Sequence, residues 1–261
     1  MPEHKNRLEL DFQDAISKIE ERGDFNRYAE VKPIFVNRLN GLHPQDYAEQ
    51  GLCYYYLLVS YLKAHLVHET EESIDFFEKM DTAFAQQESV FRKNPEKFSW
   101  SEVRDFYYLM DRCYGSLSFL YLKHDFKMRQ RRAHEQKMAY RKNAFWFSRE
   151  FWGWFEYKFL EVTCNYGTSL IRWAITTGIF VIFMAFVYAG ADHFTESAMR
   201  IVSPETGHWY DYFYFSGITM TTVGYGDIVP QIVFAKILVN LQAFIGFLML
   251  GIFIGLIQKR L

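Results

Sequence analysis

Charged side chains become sparse after Trp173, although they make up 23% of the chain as a whole. Residues 1–165 carry most of them, so a mean hydropathy near zero averages two unlike halves. The net charge of −2 therefore points to no particular partner. Cysteine is scarce as well. Cys53, Cys113 and Cys164 are widely spaced, odd in number and without C-x-x-C, which fits a reducing cytosol better than a disulfide framework or a zinc site. No P-loop, H-E-x-x-H or G-x-S-x-G occurs, so an enzymatic reading has no anchor and no catalytic residue or cofactor is expected. The N-terminal run M-P-E-H-K-N-R-L-E-L has no apolar h-region, and no cleavable signal peptide is expected. No segment repeats arginine at every third position on an apolar background, which excludes a voltage sensor of that kind.

What is present begins with two long apolar runs. Trp173 to Gly190 holds no charge and is long enough to cross about 30 Å of hydrocarbon as a helix. A first span is placed at 170–190. The second, at 233–257, is apolar without interruption from Ala243 to Ile257, while its first half carries Lys236, Asn240 and Gln242. Those three are expected to face protein or the outer interface, where polar groups cost little. Basic residues crowd the stretch before the first span, from Lys123 through Lys158 to Arg172, and Lys259 and Arg260 follow the second. The loop between offers Arg200 against Asp192, Glu196, Glu205 and Asp211. Lysine and arginine favour the cytoplasmic side, so a multi-pass protein of the cell membrane with both termini cytoplasmic is expected. The acidic loop would then gather cations outside, an effect that salt screens.

Between the spans lies T-T-V-G-Y-G-D, Thr221 to Asp227. A dehydrating potassium ion needs oxygens to replace its water, and stacked rings of backbone carbonyls supply them, the established mechanism of filters with this sequence. Turning all carbonyls one way requires residues that tolerate positive φ, the role expected of Gly224 and Gly226. Tyr210 to Met220 is expected to form a short helix, at about 210–221, aimed at a filter at 222–227. Non-helical backbone at membrane depth survives only within protein or water, and one chain supplies one quarter of each ring. A homotetramer with fourfold closure is therefore expected.

Phe213 to Pro230 (F-Y-F-S-G-I-T-M-T-T-V-G-Y-G-D-I-V-P) resembles the pore loop of two-transmembrane potassium channels of the prokaryotic type, and the resemblance covers roughly 169–256. It implies that Thr222, Val223, Gly224, Tyr225 and Gly226 bind permeant potassium, with no other metal. It also implies that Asp227 braces the filter from behind, with Thr221, Tyr214 and Phe215 in support. The family often has tryptophan where this chain has Tyr214 and Phe215, and sometimes glutamate where it has Ile218. Both departures bear on the hydrogen bonds that set slow inactivation. In similar channels a glycine placed like Gly246 is a hinge, and small residues such as Gly251 and Gly255 lie below it. G-x-x-x-G also serves plain helix packing, so both readings stand. Phe247, Leu250 and Ile254 share a stripe that could close a pore by expelling water. With no acid from 234 to 257, strong polyamine block is not expected.

The N-terminal part reads as all-helical, giving an all-α fold class. Helices are expected over 8–19, 28–39, 44–66, 70–91, 102–121 and 126–143, with Gly23-Asp24 and Asn40-Gly41 as breaks and Thr70 and Ser99 or Ser101 as caps. Short turns suggest helical hairpins, loosely similar to tetratricopeptide arrays although the spacing departs from that repeat. The expected organisation is a cytosolic helical domain at 1–144, an amphipathic interfacial linker helix at 145–168 and the pore domain at 169–261. Rings among charges in Phe145 to Phe159 suit the membrane–water boundary. The basic run Lys123–Lys142 suits anionic lipid headgroups better than nucleic acid. His65, His68 and Glu69, with Glu72 nearby, have ligand-like spacing, but a solvated helix end is the simpler reading. Any attached regulatory domain is expected on the N-terminal side, and its protein or small-molecule regulator is not legible. Two functions follow: a channel assembled or gated by that domain, or a membrane-anchored helical scaffold whose pore is closed or vestigial.

Overall fold

The computed structural model describes residues 2–21, 25, 27–64, 70–194, 201–202 and 207–258, with side chains from 11 onward. His65, His68, Glu69, Glu196, Arg200, Glu205, Lys259 and Arg260 lie outside the described residues. Among those described, ten α-helices and one short 3-10 turn account for all regular structure. The chain divides into two compact units, Met1–Trp154 and Phe155–Leu261.

The first unit contains α1 (Pro2–Glu20), α2 (Tyr28–Gly41), α3 (Tyr47–Lys63), α4 (Glu71–Lys93), α5 (Trp100–Lys123) and α6 (Lys127–Phe147). Two starts are fixed by reciprocal side-chain caps, which satisfy amides that a helix leaves open. Thr70 and Ser73 exchange hydrogen bonds at the head of α4. Ser99 Oγ accepts from Glu102 N at 3.2 Å and Glu102 Oε2 from Ser99 N at 2.7 Å, so Ser99 rather than Ser101 caps α5. Apolar stripes then pair α3 with α4 and α5 with α6 as hairpins. The core is rich in rings: Tyr114 lies edge-on to Phe77 and Phe84 and stacks on Tyr140 at 5.4 Å.

Three arginines of the basic run are paired with carboxylates of neighbouring helices. Arg132 binds Glu78 and Asp81, Arg129 binds Glu78, and Arg141 binds Asp111. Burial raises the Glu78 carboxyl, but hydrogen bonds from Arg132 and Arg129 outweigh it and hold the group below its ordinary range. These arginines tie α6 to α4 and α5 and are committed within the domain. Across 145–168 the chain makes two helical pieces rather than one. α6 stops at Phe147, Arg149 adopts a φ of +60°, and α7 (Phe151–Cys164) follows.

The second unit holds most of α7, then α8 (Leu170–His193), α9 (Asp211–Met220) and α10 (Val233–Gln258). Asn165, Tyr166 and Gly167 all have positive φ and form the turn into α8. Arg172 reaches back to Asn165 Oδ1 at 3.1 Å, which fixes that turn. α8 and α10 have 24 and 26 residues, about 36 and 39 Å of helix, enough to cross a bilayer. Their apolar side chains are mostly exposed, with Ile171, Ile175, Ile179, Ile182 and Phe186 along one side of α8. A soluble protein would bury such a face. Lipid or further protein must cover it.

Candidate functional site

The filter string is held by short links to the helix before it. α9 ends at Met220, and Val223 N and Gly224 N both donate to Ile218 O, at 3.0 and 3.3 Å. Thr222 N donates to Thr219 O at 3.1 Å, and Thr221 Oγ1 to Gly217 O at 2.9 Å. Thr221 thus secures the end of α9. Ile218 contributes its carbonyl, where a glutamate would have contributed a carboxylate.

Alternation of backbone handedness is the decisive local feature. Thr222, Gly224 and Gly226 have φ of +57°, +51° and +83°, while Val223 and Tyr225 between them do not enter that region. Alternating right- and left-handed residues gathers amides on one side and carbonyls on the other. Among the described residues, no hydrogen bond ends on the carbonyls of Thr222 to Tyr225. Left-handed backbone was legible at the two glycines but not at Thr222. A β-branched residue there is an outlier, and such strain of about 1–3 kcal/mol collects at functional sites.

Behind the filter, Tyr214 Oη donates to Asp227 Oδ2 at 2.7 Å. Phe215 is buried and packs edge-on to Tyr188 of α8 at 5.1 Å, so the adjacent rings face different neighbours. A buried polar cluster sits deeper. Gln242 Nε2 of α10 donates to Ser216 Oγ at 2.8 Å and to Ser216 O at 3.1 Å, Tyr188 Oη donates to Gln242 Oε1, and Ser216 Oγ donates to Val181 O at 2.8 Å. Sequence reasoning placed Gln242 only generally against protein and missed the cluster; three isolated polar residues in apolar helices were its one signal. Asp192 is buried, and its carboxylate accepts from Ile201 N, Val202 N and Tyr212 Oη. It fastens residues 201–202 and Tyr212 of α9 to the end of α8, and its charge is spent in that buried contact.

On α10 the three glycines differ. A Cβ on Gly246 would lie 2.2 Å from Met220 O, at the base of the filter. The same atom on Gly251 or Gly255 would meet nothing within 4 Å in the single chain. Phe247, Leu250 and Ile254 are exposed, on the side of the helix opposite its buried Met249 and Leu256.

Residues 170–261 match a family model described as ion channel, about a third of the chain. This segment is similar in sequence to ion-channel domains. Its sequence is 34% identical over 70 residues to two-pore potassium channel 4 of Arabidopsis thaliana, which covers 27% of this chain. The chain spans about a quarter (25%) of that relative's length. No solved structure matches. The resemblance to two-transmembrane potassium channels is borne out for this segment by both comparisons. Within the matched segment, Val223 and Tyr225 are 53% and 72% exposed in the single chain. Trp173 of α8 donates its indole N–H to Met249 O at 3.0 Å and stacks on Phe253 at 4.7 Å, joining the start of α8 to the C-terminal half of α10.

Proposed function

We propose that the protein is a potassium-selective channel in which four copies align Thr222 to Gly226 around one axis, with Asp227 as the outer brace. The row of carbonyls at 222–225 without internal donors, beside amides committed to Ile218 and Thr219, carries this reading. Bare carbonyls in the hydrocarbon region are too costly to persist, whereas a row of four facing rings gives each ion a full set of oxygens. Exposed apolar faces on α8 and α10 are consistent with lipid outside and neighbouring copies inside. Phe247, Leu250 and Ile254 form the constriction, and the chain lies in the cell membrane with its N-terminal helical domain in the cytoplasm. That domain governs assembly or gating. α7, with Trp152 81% exposed, lies at the inner boundary of the bilayer. A scaffold with a vestigial pore has no use for a filter strained at Thr222.

Reconstitution of the full chain into liposomes tests this. Potassium efflux with little sodium efflux is expected, together with a four-chain species after cross-linking in lipid. Equal permeation of both ions, or a single chain per particle, would overturn it.

A further inference from the structure

Four of the chain's six tryptophans gather at one end of the N-terminal unit, from two segments far apart in sequence. Capping by Ser99 fixes the start of α5 and so places Trp100 at its first position. The end of α6 and the start of α7 supply Trp146, Trp152 and Trp154, and Arg149, at a φ of +60°, turns the chain between them. At Gly153 a Cβ would lie 3.0 Å from Phe145 Cγ, so a glycine lets α7 settle onto the end of α6. The result is an apolar cleft of about 260 Å³ bounded by Trp100, Trp146, Phe151 and Trp154, with Arg149 in its wall. A second cleft, of about 210 Å³, shares Trp100 and extends toward Phe91 and Phe98.

These rings do not form a closed core. Trp100 is 56% and Trp152 81% exposed, and Trp146 and Phe151 are exposed as well. None of the four indole N–H groups donates to an acceptor among the described residues. The Arg149 guanidinium lies 5.9 Å from the Trp100 ring centre and has no carboxylate partner among the described residues, Glu150 included. Exposed rings with open N–H groups and a cation without a counter-charge call for surroundings that are apolar on one side and rich in acceptors on the other. Water gives only the second, and an apolar protein face only the first. The headgroup layer of a phospholipid bilayer gives both, with acyl chains for the rings and carbonyl and phosphate oxygens for the indoles and the guanidinium. A bilayer is also within reach of the chain, since α8, long and apolar enough to cross one, begins 16 residues after Trp154.

We propose that this end of the N-terminal unit, Trp100 included, docks into the headgroup layer of a phospholipid bilayer, with Arg149 on lipid phosphate. The docking surface thus extends past α7 to the start of α5. It rests on α8 crossing a bilayer and not on conduction by residues 222–226.

The test is nitroxide accessibility in the full chain, reconstituted in nanodiscs of phosphatidylcholine and phosphatidylglycerol. Labels on Ser101→Cys and Glu150→Cys, both exposed, flank the rings without removing one, and buried Cys53, Cys113 and Cys164 are expected to stay unlabelled. Ile179→Cys on α8 and Gln45→Cys, just ahead of α3, serve as the lipid and water references. Both docking labels are expected to collide more with oxygen, and several-fold less with nickel ethylenediaminediacetate, than the label at 45. Arg149→Glu sets a carboxylate against lipid phosphate and should raise nickel collision at 101, with helix content and melting temperature as in the parent. Water-like values at 101 and 150 beside lipid-like values at 179 would overturn the docking and leave the membrane span in place. Water-like values at 179 as well would overturn the span on which it rests. Labels shielded from both reagents would put a second copy or another protein on this surface, and Arg149→Glu without effect would remove the phosphate contact; either result overturns the proposal.

Discussion

Tyr214 Oη and Asp227 Oδ2 meet at 2.7 Å, joining α9 to the residue just beyond the filter. In the proposed channel this contact would be the filter's brace, and a hydrogen bond to a carboxylate is of the stronger, charge-assisted kind. Tyr214→Phe removes the donor and keeps the ring. The variant is expected to assemble normally and to conduct, with currents that decay several-fold faster than the parent's under sustained potassium gradients. Patch recordings on reconstituted protein would decide it. Unchanged decay would mean that Asp227 finds its restraint elsewhere.

Gly246 and Gly251 separate two roles of glycine in one helix. At Gly246 an added methyl would stand 2.2 Å from the Met220 carbonyl, so Gly246→Ala must push α10 from α9 at the root of the filter. Loss of most potassium flux is expected. Gly251→Ala meets nothing within 4 Å and should stiffen the helix by about 1 kcal/mol. That variant is expected to fold and to open less readily if bending at Gly251 contributes to gating. Equal tolerance of both substitutions in a flux assay would contradict this division.

The Tyr188–Gln242–Ser216 cluster predicts a stability effect confined to the channel domain. Tyr188→Phe strips the donor from Gln242 Oε1, leaving a buried acceptor unmet. Interhelical hydrogen bonds in membranes contribute about 0.6–2 kcal/mol, so a lowered melting temperature in detergent is expected, with ion selectivity unchanged. A variant as stable as the parent would show that water or lipid replaces the hydroxyl.

The all-helical class, the two long apolar helices and the ion-channel segment were legible because their signals are local. Apolar runs near 20 residues, a glycine-alternating filter and Ser or Thr ahead of acidic turns each act over a few positions. What escaped depends on partners distant in sequence. The close approach of Gly246 to Met220 has no local signal, because the two positions are 26 residues apart. The pairing of Arg129, Arg132 and Arg141 with Glu78, Asp81 and Asp111 is likewise set by partners 30 to 51 residues away. Left-handed Thr222 had no sequence signal, since its side chain argues against that conformation. The Asn165-Tyr166-Gly167 turn did have one, because Asn and Gly both tolerate positive φ.

Burial of the N-terminal thiols and phenols gives a pH prediction. Burial pushes Cys53 and Cys113 from an ordinary value of 9.0 up to about 12, with Glu49 adding to the shift at Cys53 and Arg112 opposing it at Cys113. Burial raises Tyr55, Tyr107 and Tyr114 as well, and neighbouring carboxylates add to the last two. The folded domain therefore holds these protons more tightly than the unfolded chain. Below the unfolded value near 9 both states are protonated and the full contribution is present. As pH rises past it the unfolded chain releases protons first, so stability falls progressively toward the folded value near 12. Alkaline titration of the full chain should show helix loss and the reactivity of Cys53 and Cys113 toward thiol reagents rising together. Reaction of Cys53 or Cys113 at the pH where a free thiol reacts, with helix content unchanged, would show these groups to be accessible in the native fold.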